Sequence, residues 1–206
     1  DLIANRINER YAKGPDDRHP SANAIDDRRI RIHIPARFRG EQDRFLRLIG
    51  HLFLERSGQF EPQKASELVD LLSANAQLAE QVCLVWQALG NKALSIIRRF
   101  YDAADPVVRL AALEAGSRLK DGQAITGLLA LCRDDAAQNR LKAAALLVYL
   151  PESTTSTDAL LDLLDDRDRQ VRFAAYESLA LHDAQRLRRS VIGGRNDAKF
   201  ILDLLP

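Results

Sequence analysis

The chain has 206 residues, 46% of them hydrophobic and only 6% aromatic, with 30 basic against 29 acidic side chains. That length supplies ample material for one domain or two small ones, and a near-zero net charge gives no global reason to expect nucleic acid or an anionic membrane as partner. No run of 18 apolar residues exists, so no stretch reads as a transmembrane helix.

The first residue is Asp1 rather than Met and no signal peptide is visible, so the sequence reads as an excised or processed piece. "DLIANRINERYAK" (1–13) places Leu2, Ile3, Ile7 and Tyr11 on one face of a helix. Gly14-Pro15 ends it, and residues 16–27 are polar and turn-like. "RRIRIHIP" (28–35) alternates strictly, with Ile30, Ile32 and Ile34 on one face and Arg29, Arg31 and His33 on the other. That pattern predicts a half-buried strand closed by Pro35. "GEQDRFLRLIGHLFLE" (40–55) returns to helical period through Phe45, Leu48, Ile49, Leu52 and Phe53. Helix, strand and helix over 1–58 predict a small α/β element whose strand needs a partner. The candidate partner is "KFILDLLP" (199–206) at the far end, so residues 198–206 would complete the element and the chain between would be an insertion.

The order of these residues resembles the flagellar basal-body P-ring protein family over about 1–55. The resemblance is carried by Ile7, Asn8 and Arg10, then Ala24, Asp26, Ile30, Ile32, Ile34 and Pro35, then Phe45, Leu46, Ile49 and Leu52. It implies a non-enzymatic structural component exported to the periplasm, which assembles in its full-length form into a homo-oligomeric ring of the bacterial flagellum. Ordinary P-ring sequences do not contain the helical repeats that this chain carries over about 61–182.

From about 61 to 197 the pattern is helix, short break, helix. "DPVVRLAALEAGSRL" (105–119), "DAAQNRLKAAALLVYL" (135–150) and "RDRQVRFAAYESLAL" (167–181) superpose when Arg109, Arg140 and Arg172 are aligned, 31 and 32 residues apart. An acidic turn precedes each arginine: Asp105, Asp135 and the Asp166/Asp168 pair. A leucine-rich helix comes before each, over 92–103, 124–134 and 158–166, with Ile97, Leu129 and Leu161 recurring 32 apart. The pair "ASELVDLLSAN" (65–75) and "AEQVCLVWQALG" (79–90) has the same form without the arginine. A charge that recurs once per repeat beside an acidic turn belongs to the scaffold. Arg109, Arg140 and Arg172 with Asp105, Asp135 and Asp166 therefore predict a structural ladder, each arginine satisfying a helix-start Asp and carbonyls of its own or the adjacent turn.

"DPVVRLAA" and "RQVRFAA" resemble HEAT and HEAT-like repeats over about 61–182, at a spacing shorter than the ~40 residues usual for HEAT. That resemblance implies a mostly α chain holding a short HEAT-like α-solenoid of about four helix pairs. The second helices would line its inner surface, which makes Glu114, Arg118, Lys142 and Glu177 candidate contacts for a protein partner.

Chemistry is sparse. His19, His33, His51 and His182 are scattered without ligand spacing. "STTST" (153–157) lacks a nucleophile-elbow context, and Ser156 or Thr157 reads as a helix cap. Gly193-Gly194 has no phosphate-loop context. The isolated Cys83 and Cys132 read as buried reduced thiols. No catalytic, metal or cofactor-binding residue is predicted, and no small-molecule substrate. Two basic clusters, Arg28–His33 with Arg37 and Arg39, and "RLRRS" (186–190) with Arg195 and Lys199, lack interleaved aromatics, which argues against nucleic acid. The reading is a P-ring-like structural protein with a HEAT-like interaction insert. A free-standing HEAT-like scaffold, and a HEAT-like enzyme or nucleic-acid binder, are the alternatives.

Overall fold

A computed structural model of the protein describes residues 2–55 and 57–182, and the backbone of 187–192 and 199–204. The chain is mainly helical and divides into two compact units, 1–119 and 120–206. The expected boundary near 58–61 does not coincide with this division: the N-terminal segment shares its unit with the first two helix pairs.

In the first unit, α1 (Leu2–Arg10) is followed by two short antiparallel strands, β1 (Ala22–Ala24) and β2 (Ile30–Ile32), and by α2 (Gln42–Gly50). Ala22 pairs with Ile32 and Ala24 with Ile30. The strand predicted over 28–35 is thus only three residues long, and its partner lies in the stretch read as turn-like. Two contacts create that partner. Asn8 of α1 clamps Ala22, donating to its carbonyl and accepting from its N–H, both at 2.8 Å. Asp26 stiffens the connection, accepting from the Arg28 N–H at 3.0 Å and from Arg29 Nε at 2.7 Å. Ile34 lies beyond the strand and is exposed, contrary to the alternation. Ile7, Tyr11, Ala22, Phe45 and Leu48 form a core with Leu84, in which Tyr11 meets the Phe45 ring edge-on at 5.2 Å.

The helix pairs come next in the chain. α3 (Phe60–Ala74) and α4 (Ala79–Leu89) form the first, held by Trp86 Nε1 donating to the Ala65 carbonyl at 3.0 Å. α5 (Leu94–Ile97), flanked by 3-10 turns, and α6 (Pro106–Arg118) form the second. α6 starts where Asp105 accepts the Val107 N–H at 2.8 Å, with Pro106 behind it in the first turn. Within this unit α3 packs on α5 and α4 on α6. Gly116 of α6 lets Tyr101 approach so closely that an added Cβ would stand 1.9 Å from its hydroxyl.

The second unit repeats the plan with α7 (Ile125–Leu131), α8 (Ala137–Leu147), α9 (Thr154–Leu163) and α10 (Arg169–His182). α7 packs on α9 and α8 on α10, the latter joined by Ser178 Oγ donating to the Ala144 carbonyl at 2.7 Å. α9 begins earlier than the leucine pattern suggests. Its cap is Ser153, not Ser156 or Thr157; Ser153 and Ser156 form a reciprocal capping box. The corresponding residues that are nearly fully buried are Ile97 in the first unit and Leu128 and Leu160 in the second. Leu129 and Leu161 are only partly buried. Ile97, Leu128 and Leu160 have the arginine spacing of 31 and 32, so both sets follow one repeat.

The strand predicted at 199–206 is β4 (Lys199–Leu204), paired antiparallel with β3 (Leu187–Ile192). It completes a hairpin of its own and does not pair with Ile30–Ile32. The reason is local: "LRRSVI" precedes it at hairpin distance, and a nearby partner costs less loop entropy than one at the chain's other end. Gly193, Gly194 and Arg195 lie outside the described residues, as do Asp1, Leu205 and Pro206.

Candidate interaction surface

The recurring arginines do one job in common. In each repeat Nη1 donates to the carbonyl six residues earlier: Arg109 to Ala103 at 2.7 Å, Arg140 to Asp134 at 2.8 Å, and Arg172 to Asp166 at 2.7 Å. The guanidinium thus closes the turn between the two helices of its pair and occupies carbonyls that the first helix leaves without partners. Arg140 and Arg172 also reach the carbonyl five back, at 2.8 and 3.2 Å.

Of the contacts expected of the ladder, the bonds to turn carbonyls occur at all three arginines, and an arginine–carboxylate ion pair occurs once among the described residues. Arg140 meets Asp166 of the following pair with a two-pronged contact, Nε to Oδ2 at 2.6 Å and Nη2 to Oδ1 at 2.9 Å, both side chains 8% exposed. This holds the Asp166 carboxyl below its ordinary range. The Asp105 carboxylate caps its own helix instead. Asp135 contributes its carbonyl, while its side chain stays exposed. Asp105 thus spends its carboxylate on the orphan N–H groups of its own helix start.

Glu114 and Arg118 are not free surface residues. Both are half-buried against α2. Arg118 Nη1 binds Glu41 Oε2 at 2.8 Å, and Arg44 of α2 lies 3.4 Å from Glu41, 4.0 Å from Glu114, and donates to Gln87 Oε1 of α4. Gln87 in turn donates to the buried Cys83 sulfur at 3.0 Å. Burial beside Glu114 pushes the Cys83 thiol up to about 12, and burial pushes Cys132 up to about 11. Both cysteines are buried, and neither forms a disulfide among the described residues. Sequence periodicity marks the right face of α6 but cannot show that α2, some 70 residues earlier, lies over it. The only hint is Arg44, set one residue before the buried Phe45.

Lys142 of α8 is half-buried, whereas Glu177 of α10 is exposed. Glu177 stands between two apolar side chains, each one turn away: Phe173, 56% exposed, and Leu181, 76% exposed. These three form a single stripe along α10, and the two apolar members are what charge-based reasoning misses.

Other candidates are accounted for. His19 and His33, remote in sequence, stack with ring centroids 4.7 Å apart. No group of three or more His, Cys, Asp or Glu able to hold a metal occurs among the described residues. In the first basic cluster Arg29 is paired with Asp26 at 2.6 Å, and Arg37 lies over the Phe38 ring. The side chains of the second cluster, 186–190 with Arg195 and Lys199, lie outside the described residues. No helix among the described residues is long and apolar enough to cross a membrane. Compared with protein-family models, with curated proteins and with solved structures, the chain matches none.

Proposed function

We propose that this chain is a non-enzymatic assembly component in which a run of about four HEAT-like helix pairs presents a protein-binding face, carried on a P-ring-like N-terminal element of a bacterial flagellar basal body. The observation that carries the binding role is the stripe Phe173–Glu177–Leu181: large apolar side chains exposed together on a regular helix face mark a contact surface more often than scattered ones do. The repeat arginines support the scaffold part, since their turn-closing bond is the same in three pairs. The P-ring part rests on the helix–hairpin–helix order, with Ile7 and Phe45 buried and Asn8 bound to the hairpin. By that resemblance the full-length protein acts in the periplasm and assembles as a ring.

The test uses the full-length gene in its own bacterium. A tagged product should co-purify with hook–basal bodies, and removing residues 61–197 should impair motility. A product confined to the cytoplasm would remove the flagellar reading. Motility unaffected by Phe173→Asp with Leu181→Asp would remove the binding role of this face.

A further inference from the structure

The chain contains its own example of what lies on the second-helix face. Aligned by the recurring arginines, the outward stripe of α10 (Phe173, Glu177, Leu181) corresponds to Leu110, Glu114 and Arg118 of α6. One repeat earlier, the same spacing reaches Cys83 and Gln87 of α4. In the first unit this stripe is covered. α2, nine residues long, buries Phe45 and Leu48 in the core that includes Leu84, and turns Arg44 onto Gln87 and Glu114. Its cap residue Glu41 takes Arg118. Leu110, Glu114 and Arg118 are half-buried, the last two against Arg44 and Glu41, while all three equivalents on α10 are exposed.

Resting on the scaffold reading above, we infer that the stripe Phe173–Glu177–Leu181 of α10 is a docking site for an amphipathic helix of another protein, one that sets a cation opposite Glu177 and apolar side chains one turn to either side. Three features specify that occupant. Glu177 keeps the carboxylate that Glu114 offers to Arg44, and it forms no ion pair among the described residues, so the charge calls for a basic residue. Phe173 and Leu181 stand where α6 has Leu110 and Arg118, so the exchange of a charge for a leucine asks for more apolar surface than α2 supplies to α6. The stripe runs eight residues, about 12 Å along the axis, a length that two to three turns of helix cover, as α2 does. Helix-in-groove recognition reads such spacing through residues one turn apart.

The experiment uses the whole chain and, as probe, a fluorescently labelled synthetic peptide with the sequence of residues 40–53, followed by anisotropy. Saturable binding is expected, weakened about tenfold or more in Phe173→Asp/Leu181→Asp, and weakened also in Glu177→Lys. The Glu177→Lys loss should be recovered by a peptide in which Arg44 and Arg47 are replaced by Glu. All three positions are exposed, so thermal unfolding of these variants should match the parent. No binding up to about 1 mM, or equal binding to the double variant, overturns the inference; the second outcome would mean that the peptide only competes with α2 at its own place. Concentration-dependent dimerisation that the double variant abolishes would assign the face to a second copy and likewise overturn it. If the peptide fails while the double variant still impairs motility, the helix assignment falls and the scaffold reading stands. If motility is also intact, both fall.

Discussion

Arg10 joins the N-terminal element to the helix pairs, and its removal tests whether that element is integral to the first unit. The guanidinium lies over the Tyr11 ring at 5.2 Å and donates to two carbonyls at the end of α4, Gln87 at 2.6 Å and Ala88 at 3.2 Å. These carbonyls have no helical partner, because the chain turns at Gly90 with φ 82° and its N–H returns to Trp86. Charged hydrogen bonds contribute about 1.5–3 kcal/mol each, and a cation at a helix C-terminus adds about 0.3–1 kcal/mol. Against this, burial disfavours the charged form, and it is the largest influence lowering the Arg10 pKa. The net cost of Arg10→Ala should be about 2–4 kcal/mol. Arg10→Lys keeps a charge but not the fork, and should recover less than half of it. The assay is urea unfolding followed by fluorescence of Trp86, the single tryptophan, which sits beside Gln87 in the same unit. With a slope of about 1–3 kcal/mol per molar urea, the midpoint should fall by about 1 M or more. A loss below about 0.5 kcal/mol, the range of ordinary surface substitutions, would refute the reasoning and make the N-terminal element a module that the repeats do not need.

Alanine at Arg140 should lower the denaturation midpoint of the second unit more than alanine at Arg172, because only Arg140 leaves a carboxylate behind; equal effects measured by far-UV circular dichroism would mean that the Asp166 contact contributes nothing. The Asp166 carboxyl is held below its ordinary value by Arg140, so its stabilisation is complete above about pH 4 and is lost as pH falls through the lower folded value. Acid titrations should therefore show the parent and Asp166→Asn converging on acidification, and a constant gap would contradict the pairing. Cys83 and Cys132, buried with thiols raised to about 12 and about 11, should stay unreactive to a disulfide reagent near pH 8 and react fully in denaturant; rapid native labelling of either would show an open path to it.

The helix pairs are legible in the sequence because a recurring arginine and a recurring apolar column are local signals, repeated often enough to be seen above noise. Even there the period selects Leu129 and Leu161, one residue away from the buried Leu128 and Leu160, since adjacent leucines cannot be told apart by period alone. β1 is illegible for a different reason. Ala22–Ala24 has no β-branched or aromatic residue, and becomes a strand through the Asn8 clamp and pairing with Ile30–Ile32. The covering of Glu114 and Arg118 depends on Arg44 and Glu41, contacts between residues far apart in the chain that no periodicity encodes.

The repeats also separate scaffold from specificity without any second sequence. Where the same side chain recurs with the same bond, as at Arg109, Arg140 and Arg172, the position is used up by closing a turn. One residue later begins the outward stripe, and there the pairs diverge: Leu110, Leu141 and Phe173, then Glu114, Ala145 and Glu177, then Arg118, Tyr149 and Leu181. A face that must only stay in water has no reason to place phenylalanine and leucine around a glutamate. On α6 the corresponding polar pair is matched, charge for charge, by a helix of the same chain. Divergence at these positions beside a constant arginine is what a common backbone allows when its helices have different surroundings: on α6 the stripe meets Arg44 and Glu41, and on α10 it is exposed.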